Sequence, residues 1–459
     1  MIFFCYYSFI PKKGGSFMNL YSTYSCKIKH YNRILKQTVA IYRSAVDYCI
    51  QVCLQHWVEI SLINTSNVKQ QYAERMIHST KNRVAVYDFD QKFYKFPSYL
   101  RRAAITEAIG KVSSYKSNLE NWANEDPATR GRKPSFPKAG LIYPCLYREN
   151  MYQQTGEYTA RIKVYVRNTW DWIDIQLRKS DVDYITRHCN NRKQCAPTLQ
   201  KRGHQWFLDF PFEESITLKN TSAYEQTILA VDLGINSSAT IAVMKADGTI
   251  LGRHFLRLTK EYDSLTHAIN RIKKAQQHGN RKMPRLWAKV NGINDHIATR
   301  TASFIMDVAI QYNADVIVFE HLDISGKKNG SKKQKLHLWK SQYVQSMVTN
   351  KAHRLGMRVS HICAWGTSKL AFDGSGITLR GKDANLSSYS VCQFPNGKIY
   401  NCDLNAAYNI GARYYIREIL KSLPAKVRLA IEANVPQFAK RSTCTLSSLL
   451  NLNAELILA

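Results

Sequence analysis

The chain is short of acids, of paired cysteines and of long apolar runs. Of its 459 residues only 34 are Asp or Glu, against 65 Lys and Arg, a net charge of +31. That imbalance exceeds what solubility requires and points to a polyanionic partner. No stretch approaches the roughly 20 apolar residues that span a bilayer, so nucleic acid is a better partner than a membrane. A merely basic enzyme is the plainer alternative. The eleven cysteines occur singly, with no Cys-x-x-Cys anywhere. Without a secretory signal they are expected to be reduced and buried, in a cytoplasmic protein.

A chain of this length is expected to hold two or three domains. Met1–Ile10 is apolar but lacks a basic segment and a cleavage site. With Pro11-Lys-Lys-Gly-Gly15 behind it and Met18 following, residues 1–17 are expected to be disordered or a mis-annotated start. Tyr24–His30 reads as a strand. A helix capped by Asn32 follows, with Leu35, Thr38, Ala45, Cys49, Val52 and Cys53 along one side. A second helical region, from Pro97 to Trp122, displays Arg101, Arg102, Lys111 and Lys116. Glu125–Gly140 reads as a linker whose Arg130, Arg132 and Lys133 suit a phosphate backbone. Alternating runs at 158–166, 173–177 and 206–210 predict strands of a small β-barrel or sandwich closing near Glu213.

The chemistry lies further on. Ile228–Val231 is a short continuous apolar run, the pattern of a strand buried on both faces, and it ends in Asp232. Ser237–Val243 and Ile250–Phe255 read as two more strands, joined by an Asp247-Gly248 turn. A second apolar run, Val316–Phe319, ends in Glu320, after a helix-like segment in which Thr301, Phe304, Ile305, Val308, Ala309 and Tyr312 recur at helical spacing. Asp403 opens a third, helix-forming run. Three carboxylates on neighbouring elements are what a two-metal nuclease needs, with divalent ions about 3.5–4 Å apart. Hard oxygen ligands suit magnesium or manganese. His321, beside Glu320, is weighed as a general acid–base and read as structural.

Val231-Asp232-Leu-Gly-Ile-Asn236, Phe319-Glu320-His-Leu322 and Asp403-Leu-Asn-Ala-Ala-Tyr-Asn-Ile410 resemble the three split RuvC motifs of transposon-encoded TnpB proteins, which are similar to the type V CRISPR effectors. The third, with its Asn-Ala-Ala-x-Asn-Ile tail, is the most specific. The resemblance implies an α/β plus β-barrel chain: an RNase H-like (RuvC) core at 223–361 and 400–423, and an oligonucleotide-binding wedge barrel at 18–31 and 126–222 carrying a helical insertion at 32–125. It implies Asp232, Glu320 and Asp403 as catalytic ligands of Mg2+ or Mn2+. It also implies a guide RNA encoded near the gene, double-stranded target DNA, and no membrane. Residues 424–459 read as a tail without chemical signature.

Two basic stretches add to the nucleic-acid reading. Between the first and second motifs, Arg271, Lys273, Lys274, Arg281, Lys282, Arg285 and Lys289 occur without an acid, as phosphate contact requires. Lys332 and Lys333, with Lys327, Lys328 and Lys335, read as a basic loop beside the nuclease site. At 362–399 the chain departs from the family, whose members commonly carry two Cys-x-x-Cys pairs there. Cys363, Cys392 and Cys402 have the wrong spacings, so no structural zinc is expected. The loop should instead be held by hairpin pairing and packing through Tyr389, Val391, Phe394 and Tyr400. Arg380 stands where the family often has an arginine near the DNA. Three readings compete: an active RNA-guided endonuclease, a guide-dependent DNA-binding regulator with impaired cleavage, and a carboxylate-triad transposase or recombinase without RNA.

Overall fold

The computed structural model describes residues 8–9, 17–30, 33–128, 130–147, 149–234, 237–322, 338–386, 388 and 390–458. The described residues divide into two compact units, one within 21–214 and the other formed by 8–9, 17–20 and 215–458.

The first unit is built on an antiparallel sheet. Its strands run in the order Tyr152–Gln154, Thr159–Val166, Thr169–Leu177, Phe17–Lys29, Gln205–Thr217 and Lys193–Gln194, with Thr198–Arg202 also paired to Gln205–Thr217. Alternation decides which face is covered: Ala160, Ile162 and Val164 are fully buried, and Thr159 and Arg161 are exposed. The long helix Arg33–Gln55 buries its apolar stripe, and Thr38 Oγ1 accepts a 2.9 Å hydrogen bond from the amide of Tyr165. Helix Ser98–Asn124 supplies a second layer.

The first strand begins at Phe17, well before the expected Tyr24. Ser8–Phe9 also pairs with Met18–Asn19, so of the expected leader 1–17, Ser8, Phe9 and Phe17 are strand rather than disordered, while 1–7 and 10–16 lie outside the described residues. Helices Trp57–Leu62, Ser66–Ile77 and Lys179–Cys189 carry apolar stripes too short or too polar to register as periodic. Among the described residues of 125–140 there is no helix or strand, as the Pro and Gly content predicts, yet the stretch is fastened down. Trp122 Nε1 donates to Gly131 O at 2.8 Å, Arg130 stacks 4.1 Å above the Trp122 ring, and the amide of Ala139 donates to Asp47.

The second unit holds a five-stranded mixed sheet in the order Ile250–Leu256, Ala239–Met244, Ile228–Asp232, Val316–His321, Arg358–Cys363. The first three are antiparallel and the last two join parallel. Strands buried on both faces need cover on both sides, which explains their continuous apolar runs. Helices Pro284–Gln311 and Ser341–Arg354 cover one face, and helix Cys402–Ser422 the other. The segment read as a featureless tail forms helices Ala425–Asn434, Gln437–Lys440 and Leu446–Leu458. Its Phe438, Cys444, Leu449 and Leu452 are fully buried beside Ile416 and Ile419, so it completes the core. No helix among the described residues is long and apolar enough to cross a membrane.

Candidate active site

Asp232 is the last residue of its strand. Residues 228–231 pair in register with 316–319 of the neighbouring parallel strand, ending at Val231 beside Phe319. Asp232 and Glu320 each follow that last pair, so the two acids sit at the ends of adjoining strands. Gly234 turns the chain away at once, and a Cβ there would meet the carbonyl of Ser237 at 2.7 Å. Asp403 comes from the other side, in the first turn of helix Cys402–Ser422. Asn401 caps that helix, its Oδ1 accepting from the amide of Leu404 at 2.9 Å. An acid in a first helical turn is favoured by the helix dipole.

The three side chains are half-buried, and each carboxyl holds its proton more tightly than usual. For Asp232 burial is the largest cause, followed by repulsion from Glu320 and then Asp403, with Arg380 opposing. Burial likewise raises Glu320, against a hydrogen bond from Thr367 and the charge of Arg413. Asp403 is raised by burial and eased by Arg380 and Arg257. The acids therefore feel one another. Among the described residues, however, no three His, Cys, Asp or Glu side chains converge into a ready metal cluster. Glu320 instead accepts a hydrogen bond from the Thr367 hydroxyl. The donor set nevertheless fits a hard divalent cation: oxygen ligands only, partly desolvated, and carrying more negative charge than Arg380 and Arg257 offset.

The charge of Arg380 thus reaches Asp232 and Asp403. Its guanidinium donates to the carbonyl of Ser368, and its strand pairs it with Cys392. Cys392 and Cys402 are buried together with Ala371 and Phe394. A hydrogen bond from Cys402 lowers the Cys392 thiol to about 7, and Cys402 is raised in return. Cys363 is exposed at the end of its own strand and outside this cluster. The 362–399 segment is held by the three-stranded sheet Leu379–Arg380, Val391–Gln393, Ile399–Asn401 and by the Phe372, Phe394 and Tyr400 rings. Tyr389 lies outside the described residues.

Other expected contacts fare differently. Arg101 is corrected: only 6% exposed, it forms a buried ion pair with Glu74 at 3.0 Å and is not displayed. The stripe that sequence periodicity gives to a basic face includes it because acids from another helix are invisible to that periodicity. Arg102 is exposed, 3.2 Å from the same Glu74. Arg132 and Lys133 are exposed, and Arg130 is occupied by Trp122. Lys273, Lys274, Arg281, Lys282 and Arg285 are all exposed and, among the described residues, have no acidic partner. Lys332 and Lys333 lie outside the described residues. Sequence reasoning missed Arg257, Thr367 and Arg413; the spacing 405, 409, 413 down one helix face was the available signal for the last.

Known proteins share parts of this chain. A family model described as the Aq_aa04 family matches residues 22–166. A TnpB-like protein, aq_aa05, of Aquifex aeolicus (strain VF5) is 27% identical over 236 residues, covering 46% of this chain and 74% of that protein. An uncharacterized protein of the same organism, aq_aa04, is 50% identical over 48 residues, 10% of this chain and 28% of that one. Among solved structures, Cas12f1 in complex with sgRNA and target DNA superposes with a TM-score of 0.52 at 12% identity, over 82% of this chain and 81% of that one. The fold is thus shared with a type V effector. Together with the TnpB-like relative, these matches are consistent with a TnpB-family protein.

Proposed function

We propose that this chain is a transposon-associated, RNA-guided DNA endonuclease that hydrolyses phosphodiester bonds with the help of divalent metal. One observation carries the reading: Asp232, Glu320 and Asp403, far apart in sequence, stand on adjoining strand ends and a helix start where each raises or feels the others' charge. The sheet that presents them is read as an RNase H-like core, and the antiparallel sheet of the first unit as the wedge that holds nucleic acid. The three acids would ligate Mg2+ or Mn2+, which supplies an activated water and charge stabilisation at the leaving oxygen. Arg380 and Arg257 stand where they offset negative charge beside Asp403 and orient a phosphate brought to it. The exposed Lys273–Arg285 cations attract the backbone without reading bases. The Cas12f1 neighbour, solved in complex with sgRNA and target DNA, supports RNA and DNA as partners.

The test is co-expression with the native flanking locus, sequencing of any bound RNA, and plasmid cleavage with and without Asp232→Ala. A discrete bound RNA and cutting lost in the variant are expected. Unchanged cutting by Asp232→Ala would eliminate the site. A purified protein that joins strands and carries no RNA would indicate a recombinase.

A further inference from the structure

The Asn-x-x-x-Asn tail of the third motif has no role in the chemistry above, and its side chains show what it does. Asn405, Asn409 and Arg413 lie at i, i+4 and i+8 on one face of helix Cys402–Ser422, all three buried at 3% exposure or less. Asn405 Nδ2 donates to Leu370 O at 2.9 Å and its Oδ1 accepts from the amide of Phe372 at 2.8 Å. Asn409 Nδ2 donates to Thr367 O at 2.9 Å and to Leu370 O at 2.8 Å. Arg413 Nη1 donates to Trp365 O at 2.7 Å and to Cys363 O at 3.1 Å. The ladder therefore clasps the 363–372 loop by its backbone.

That loop presents one side chain to the site. Thr367, 3% exposed, directs its hydroxyl at Glu320 Oε1, with Ala364 O as a weaker second acceptor at 3.2 Å. A hydroxyl carries one proton, and the carboxylate is the stronger acceptor. Glu320 is then held by one oxygen, and among the described residues its other oxygen accepts no hydrogen bond. Carboxylates that bind metal are ordinarily oriented by such partners, whose removal typically costs 10–100-fold in metal affinity.

We propose that Thr367 is a positioning residue: fixed by the Asn405–Asn409–Arg413 ladder, it orients Glu320 as a metal ligand and so couples the third motif to the second. The inference rests on the nuclease reading. Titration of the full-length protein with Mn2+, followed by electron paramagnetic resonance, tests it alongside the metal-free melting temperature. Thr367→Val should bind Mn2+ about 10–100-fold more weakly, Thr367→Ser should restore most of the affinity, and Asp232→Ala should abolish the site. Affinity unchanged or tightened in Thr367→Val, or equally weak in Thr367→Ser, overturns the proposal. Should Thr367→Val fail to melt cooperatively, Thr367→Ala takes its place with the same loss expected, and unchanged affinity in it overturns the proposal. Mn2+ binding indifferent to Asp232→Ala overturns the nuclease reading itself.

Discussion

Gly411 packs its bare Cα against Ala230: a Cβ there would stand 3.2 Å from the Ala230 Cβ and collide with the Met244 sulfur. This close approach lets the helix that begins with Asp403 lie directly on the strand that ends with Asp232. Gly411→Ala should therefore cost about 1–3 kcal/mol by overpacking. The flexible Met244 side chain can swing aside but the Ala230 Cβ cannot, so the helix has to shift by a few tenths of an ångström and Mn2+ affinity should fall as well. Urea unfolding with a parallel metal titration measures both, and full stability with unchanged affinity would contradict this account.

The burial and repulsion that raise the Asp232 carboxyl have a signed consequence for stability. The folded protein holds that proton more tightly than the unfolded chain does. The metal-free fold is therefore favoured at low pH and loses stability as pH rises from the unfolded carboxylate value, about 3.9, through the raised folded one. Asp232→Asn removes the penalty. Its stability relative to the native sequence should grow across that window by up to about 1.4 kcal/mol per pH unit and then level off. Adding Mg2+ should narrow the gap by stabilising only the native sequence. Melting curves from pH 4 to 8 check this, and a gap that shrinks with pH would refute it.

Arg101 and Arg102 share Glu74 but differ in burial, the one side chain 7% and the other 51% exposed. Removing Arg101 takes the buried charged hydrogen bonds from Glu74 and leaves it only the exposed Arg102, so Arg101→Ala should destabilise by about 1.5–3 kcal/mol. Arg102→Ala should cost well under about 1 kcal/mol. Denaturant midpoints of the two variants would show the contrast, and equal effects would argue against it.

Exposed and unpaired by acid among the described residues, Lys273, Lys274, Arg281, Lys282 and Arg285 should act through salt-dependent phosphate binding. Replacing all five with Gln should weaken nucleic-acid binding irrespective of sequence. Each phosphate that is no longer neutralised should flatten the slope of log K against log salt by about 0.9 on duplex DNA. Filter binding at several salt concentrations measures the slope, and a weaker affinity with an unaltered slope would exclude a direct phosphate role.

Much of this protein is legible in its amino-acid order. Ile228–Val231 and Val316–Phe319 declare themselves as buried strands, since only a strand covered on both faces is apolar without alternation. The helix after Asp403 and the extended 125–140 stretch are equally plain, because local pattern and backbone propensity fix them. What periodicity cannot carry is partnership across the chain. It puts Arg101 on an exposed basic face, though Glu74 buries it. It leaves 424–459 as a tail, though Phe438 and Leu449 close the core. It gives no sign that Thr367 faces Glu320 or that the charge of Arg380 reaches Asp232. The sequence by itself determined which residues carry charge and which strongly patterned segments are strand or helix, because those are local properties. Only the tertiary structure decided which acids share a site and which cations answer them, because Coulomb interaction and hydrogen bonding depend on distance in space.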